Sequence, residues 1–231
     1  MRTSGAPALG RLLPPGAGSP IAIIDLSLAA VFALLASRFH DKRRAGALDR
    51  AIDGRITHHL LPFRIALRGF IEVGAPLTVA LTGLALALWC LGTGRRRGAL
   101  LSLLGPGLAA LATDSVLKPV IGRTLYGSLA FPSGHTTGAV AVAGVIAVLL
   151  LGPSRPASLS ARARRLIVLA AVAISGGTAI GLVALRWHYP TDTVGGICVA
   201  VIVVTLVALT IDAWSTAVLK RSPAECLDEL A

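Results

Sequence analysis

The sequence predicts an all-α integral membrane bundle of six transmembrane helices, with an interfacial amphipathic helix between the first and second. Three observations predict it. Of 231 residues, 55% are hydrophobic and only 14% are charged, where a soluble domain carries about a quarter charged. The mean hydropathy is +0.78. The apolar residues gather in runs long enough to cross, as helix, a hydrocarbon core about 30 Å thick, and they do not alternate as barrel strands do.

Residues 1–20 are rich in Gly, Pro and Ala and carry Arg2 and Arg11; a flexible basic tail is expected there. The first span is expected at 21–37. A signal peptide cleaved near Ala36 is the weaker alternative, because a basic flank and further spans follow. Segment 38–74 holds eight Lys/Arg and four Asp/Glu. Between His58 and Val73, apolar Leu60, Leu61, Phe63, Ile65 and Phe70 interleave with Arg64 and Arg68. That pattern fits a helix lying in the membrane interface. Further spans are expected at 75–91, 99–117, 136–151, 166–185 and 193–214. The membrane domain is thus 21–215, and 216–231 is a short C-terminal tail. Gly177 and Gly181, like Gly134 and Gly138, are four apart, a spacing that lets membrane helices approach closely.

The net charge of +11 would suggest nucleic acid in a soluble protein. Here the basic residues flank apolar runs, which favours anionic lipid head groups or a phosphorylated substrate. Aromatics make up 4% of the chain, too few for a base-stacking platform, so no nucleic-acid partner is expected. Cys90, Cys198 and Cys226 are odd in number and form no CxxC. They describe neither a disulfide framework nor a zinc site.

Orientation rests on the short loops. With both termini inside, inner and outer segments each hold 11 Lys/Arg. Loops 93–98 and 153–165 carry seven arginines, and short loops dominate topology. Both termini are therefore placed inside, although the basic 38–74 segment opposes this. The Ala- and Arg-rich composition suggests a GC-rich bacterium, and hence the plasma membrane.

Two polar loops on the predicted outer face concentrate the chemistry. One runs from Asp114 through Lys118 and Arg123 to Pro132-Ser133-Gly134-His135; the other is Arg186-Trp187-His188-Tyr189-Pro190-Thr191-Asp192. Ionisable groups at span ends sharing one face mark a functional site. Lys118, Arg123 and Arg186 suit a phosphate. Ser133 and Gly134 at a helix start suit an anion. Two histidines can divide nucleophile and acid roles, and a carboxylate can orient one of them. The plainer readings are helix-end caps for His135 and His188, and snorkelling cations for Lys118 and Arg186. Asp114, one turn before Lys118, is read as its partner or as a satisfied polar group. Asp25 is read as an interface residue, and His40, His58 and His59 as solvated. Trp89, Trp187 and Trp214 lie near span ends as anchors.

The ordered set Lys118…Arg123, Pro132-Ser133-Gly134-His135 and His188-Tyr-Pro-Thr-Asp192 resembles the type 2 phosphatidic acid phosphatase (PAP2) superfamily. The resemblance covers 118–192, and the six-span layout fits the family's membrane members. It implies that His188 attacks phosphorus to form a phosphohistidine. Asp192 would orient His188, and His135 would protonate the leaving oxygen. Lys118, Arg123, Ser133 and the Gly134 N–H would hold the phosphoryl oxygens. No metal or other cofactor is implied. The sequence departs from the family at two positions, since the usual arginines fall on Leu125 and Leu182. Arg123 and Arg186 are expected to replace them; Arg186 is one helical turn after Leu182. The expected partners are a lipid phosphate substrate and membrane lipids. A phosphotransferase with the same residues, or a non-catalytic lipid-phosphate binder on a decayed site, is the alternative function.

Overall fold

The computed structural model describes residues 10–220. Helices α1 (Gly18–Phe39), α2 (Ala47–Leu60), α3 (Arg64–Val73), α4 (Pro76–Gly92), α5 (Arg96–Leu111) and α6 (Lys118–Ile121) lead to a hairpin, β1 (Thr124–Leu125) and β2 (Ser128–Leu129). Helices α7 (Gly134–Leu151), α8 (Ala161–Ala184) and α9 (Pro190–Lys220) follow. Five helical segments are long and apolar enough to cross a membrane alone: α1, the continuous Arg96–Ile121, α7, α8 and α9 up to Ser215. Helix α4 completes a sixth when joined to Ala47–Val73 across a 52° bend. The all-α membrane bundle expected from the apolar runs is the observed architecture.

The bundle interior is built from small side chains. Helices α7 and α9 bury Ala139, Ala141, Ala143, Ala200 and Ala208 almost completely. Lipid tails are as apolar as Leu, so membrane helices gain from close backbone packing rather than from burying large side chains. Many leucines point outward, among them Leu26, Leu77 and Leu169, while Leu101, Leu149 and Leu150 join the small residues inside. Ser175 Oγ donates to the Ala139 carbonyl at 3.0 Å and ties α8 to α7.

Three boundaries differ from expectation. The third span does not stop at 117. Helix α5 passes through a π-helical turn at Ala112–Leu117 straight into α6. Helix α8 starts at Ala161, so Arg162, Arg164 and Arg165 lie on helix rather than loop. Ser160 caps it, accepting from the Ala163 N–H at 3.1 Å, and Arg164 curls back to the Leu159 carbonyl. The expected interfacial helix is two helices, α2 and α3, joined by a 3-10 turn at Leu61–Phe63 that contains Pro62.

Helix α3 is also more than a surface rider. Thr178 Oγ1 on α8 donates to the Phe70 carbonyl at 2.6 Å. A Cβ at Gly177 would stand 2.7 Å from the Phe70 ring, and one at Gly181 would stand 3.1 Å from the Leu67 carbonyl. The spacing of those two glycines is what admits α3, while Phe63 and Ile65 remain exposed on the surface of the bundle.

The segment before α1 is docked where a flexible tail was expected. Leu12 and Leu13 are buried. The Leu12 N–H donates to both carboxylate oxygens of Asp212 on α9, at 2.9 and 3.0 Å, and the Leu13 N–H to Oδ2 at 3.0 Å. Residues 1–9, with Arg2, and most of the expected C-terminal tail, with Cys226, lie outside the described residues. Asp25 faces the bundle rather than the interface, and accepts from Thr205 Oγ1 of α9 at 2.8 Å.

Candidate active site

The end of α1, helix α2, the start of α4, the α5–α6 end, the starts of α7 and α9, and the end of α8 meet at one end of the bundle. Gly122 closes α6 in the left-handed conformation, with φ +67°, and delivers Arg123 into the interior. Arg123 is wholly buried. Its Nη2 donates to Asp49 Oδ2 and its Nη1 to Asp192 Oδ1, both at 2.6 Å. Nη1 also donates to Thr191 Oγ1 at 2.7 Å. The guanidinium carbon lies 3.9 Å from the Phe39 ring centre and 4.5 Å from that of Tyr189. Burial pushes the Tyr189 phenol up, against the pull of Arg123, so it stays neutral. Asp49 Oδ1 in turn accepts from the Thr191 N–H and hydroxyl, at 3.1 and 2.8 Å.

Arg123, expected to clamp phosphate, is placed wholly inside the fold. Its Nη groups face two carboxylates and a hydroxyl, its faces are covered by rings, and its buried Nε has no hydrogen-bond partner among the described residues. A sealed guanidinium between two carboxylates fixes the geometry of those carboxylates. Asp49 and Thr191 complete this cluster and were not singled out from sequence. Asp49 is one of four acids in a mixed segment, and nothing local marks it.

What Arg123 fixes is Asp192. Asp192 Oδ2 accepts from the Tyr189 N–H at 2.9 Å, and His188 Nδ1 stands 3.5 Å from the same oxygen. That separation is at the outer limit for a hydrogen bond, and the buried Nδ1 has no well-aligned partner. The second loop is pinned to the first, since the Ser133 N–H donates to the Asp192 carbonyl at 3.0 Å.

Ser133 caps α7. Its Oγ accepts from the Thr136 N–H at 3.4 Å and from the Thr136 hydroxyl at 3.1 Å, and the residue is fully buried. This hydroxyl, expected to meet phosphate, is used inside the fold. Gly134, at the first helical position, is half-buried and sits against the ion pair of Lys118 and Asp114. Those two side chains meet at 2.6 Å. A Cβ on Gly134 would come within 3.0 Å of Asp114 Oδ1 and 3.4 Å of Lys118 Nζ. Asp114 lies in the π-helical turn that ends at Leu117, just before Lys118, and such turns recur at functional sites.

His135 lies within the fields of His188, Lys118, Glu72 and Asp114, and the edge of Trp187 meets its ring at 6.3 Å between centres. The structure thus brings Lys118, Gly134, His135, His188 and Asp192 to one place. Arg186 lies in the same loop, two residues before His188. It is exposed and has φ +61°, and it lines a shallow depression with Thr57, His58 and Arg64. Leu182, one turn earlier, is completely buried. Among the described residues, no group of three or more His, Cys, Asp or Glu is placed to hold a metal ion.

A groove of about 400 Å³ leads to this centre. Its walls are mainly apolar, including Val79 and Ala80 of α4 and Leu103 and Pro106 of α5. It ends at Asp114, Lys118, Gly134 and His135.

Two histidines, one beside a carboxylate and the other beside a lysine, thus lie at one end of a bundle of membrane-length helices. The model of the PAP2 superfamily matches residues 76–215. The chain belongs to the PAP2 superfamily and is a phosphatase of that type. Its fold is similar to a solved structure described as the first transmembrane PAP2-type phosphatidylglycerolphosphate phosphatase from Bacillus subtilis. That likeness has a TM-score of 0.61 at 22% identity, and covers 79% of this chain and 93% of the other. No curated protein matches the chain.

Proposed function

We propose that this phosphatase hydrolyses a lipid phosphate or lipid pyrophosphate through a phosphohistidine on His188. The groove carries the reading: an apolar channel wall that ends at a lysine and a histidine suits an alkyl chain joined to a phosphate. With Nδ1 turned to Asp192, the Nε2 lone pair of His188 is the one free to attack phosphorus. As the N–P bond forms, the bond to the leaving oxygen breaks, and protonated His135 gives that oxygen its proton. Water then attacks the phosphohistidine, His135 takes a proton from it, and the N–P bond breaks to release orthophosphate. Lys118 and the Gly134 N–H hold the phosphoryl oxygens, as a point charge and a helix start do. Arg123 and Ser133 act as positioning residues. The scaffold likeness puts glycerophospholipid phosphates beside isoprenoid phosphates as substrates to test.

The seven arginines of segments 93–98 and 153–165, in the loops and the first turns of α5 and α8, lie at the bundle end opposite the histidines. By the positive-inside rule they support inner termini and an outward-facing site in a plasma membrane.

The test is phosphate release in detergent, with and without EDTA. The substrates are polyprenyl phosphate, polyprenyl pyrophosphate, phosphatidic acid and phosphatidylglycerophosphate. We expect release from at least one lipid, insensitive to EDTA, and its loss in His188→Ala. Release that survives in His188→Ala would sink the phosphohistidine step.

A further inference from the structure

A group of arginines lies at the other end of the molecule. A cavity of about 680 Å³ opens there between the α4–α5 loop, the α7–α8 loop and the docked segment before α1. Arg95, Arg96, Arg97 and Arg155 line it, over an apolar floor that includes Leu12 and Leu149. Arg97 is paired with Asp212 at 3.4 Å, and that carboxylate also receives the N–H groups of Leu12 and Leu13. Among the described residues no carboxylate pairs with Arg95, Arg96 or Arg155.

Arg95 is held ready rather than loose. Its Nε donates to Thr93 Oγ1 at 3.0 Å, and its guanidinium carbon lies 3.9 Å from the Trp89 ring centre. Its Nη2 is buried and has no hydrogen-bond partner. Arg11 Nε, next to Leu12, is likewise buried and unpartnered. A buried donor with no acceptor costs free energy in the free protein, and an anion supplies the missing acceptor. The same cavity receives the start of the sixteen-residue α5, which has no side-chain cap. Its first N–H groups and the helix dipole favour negative charge.

We propose that this cavity is a second anion site, one that binds a phosphate group remote from the catalytic histidines. Guanidinium forks around a helix start match the tetrahedral, multiply accepting oxygens of phosphate better than a single carboxylate. The phosphate comes either from the head group of an anionic lipid in the adjoining leaflet or from a soluble phosphorylated compound. The apolar floor accommodates both.

The experiment uses the full chain in detergent and reads thermal stabilisation in two titrations. One is inorganic phosphate. The other is phosphatidylglycerol in mixed micelles, against the same amount of phosphatidylcholine. Three variants are compared with the parent. Arg95→Gln/Arg155→Gln removes two of the three cations that pair with no described carboxylate. Arg155→Glu reverses one exposed loop charge and leaves the packed arginines intact, so it serves if the double variant fails to fold. Lys118→Gln disables phosphate binding at the catalytic end.

We expect saturable stabilisation that persists in Lys118→Gln and is weakened about tenfold or more in both arginine variants, the scale of a lost charge-assisted contact. A response to inorganic phosphate identifies the soluble source. A response to phosphatidylglycerol alone identifies the lipid. Saturable binding unchanged in Arg155→Glu and lost in Lys118→Gln would overturn the proposal, as would a non-saturating response abolished by salt in every protein.

Discussion

At the histidine end of the bundle Arg123 has no exposed surface and meets two carboxylates at 2.6 Å. At the other end Arg95, Arg96 and Arg155 line a cavity and pair with none of the described carboxylates. The same side chain is a structural rivet in one place and an open cation in the other. The neighbours decide which: Asp49 and Asp192 converge on Arg123 from α2 and α9, whereas Asp212 is already occupied by two backbone N–H groups and Arg97. An arginine count therefore says little about phosphate binding until the carboxylates have been assigned. In the proposed mechanism phosphate is left to a lysine and a helix start, because Arg123 is paired with Asp192.

The comparison breaks most visibly at Arg123. Removing one partner of a buried ion cluster leaves unpaired charge and costs about 3–5 kcal/mol. Arg123→Leu should lower the melting temperature steeply and abolish phosphate release. Arg155→Gln, on an exposed loop, should stay within about 0.5 kcal/mol of the parent. Equal melting curves for the two variants would erase the distinction between the ends.

A smaller loss is expected for Asp212→Asn, which weakens the acceptor of the Leu12 and Leu13 N–H groups; an unsatisfied buried group costs about 1–3 kcal/mol. Hydrogen exchange at residues 12 and 13 should accelerate while the histidine end stays protected. Ser133→Ala should cost about 1 kcal/mol through the lost cap and lower stability and turnover together. A raised KM with an unchanged melting temperature would instead return Ser133 to the phosphate. The smallest effect belongs to Thr178→Val, which removes one interhelical hydrogen bond. It should cost about 0.6 kcal/mol and be read as a small loss of thermal stability with phosphate release retained.

The fold was largely legible because each span announces itself by a run of apolar residues of membrane length. The start of α8 was not, since Arg162, Arg164 and Arg165 look like loop while a serine cap upstream makes them helical. That His135, His188, Asp192 and Lys118 come to one end of the bundle was legible because contiguous motifs carry them to span ends. The fate of Arg123 was hidden. Asp49 lies 74 positions earlier in the chain, and no local pattern separates it from Asp41, Asp53 or Glu72. Asp25 was misread for the same reason: its partner Thr205 lies 180 positions later. Side chains whose meaning depends on one distant partner are where reading a single sequence fails.

Helix α9 carries both Asp192, which closes the Arg123 cluster, and Asp212, which receives Leu12 and Leu13. A chain that has emerged only through α8 lacks both carboxylates, Asp192 for Arg123 and Asp212 for the N–H groups of Leu12 and Leu13. Arrival of the last described helix therefore completes both ends of the bundle at once. A ribosome stalled before α9 leaves a partly assembled chain with its first segment undocked and its catalytic loop unanchored, the kind of exposed intermediate that quality-control proteases recognise.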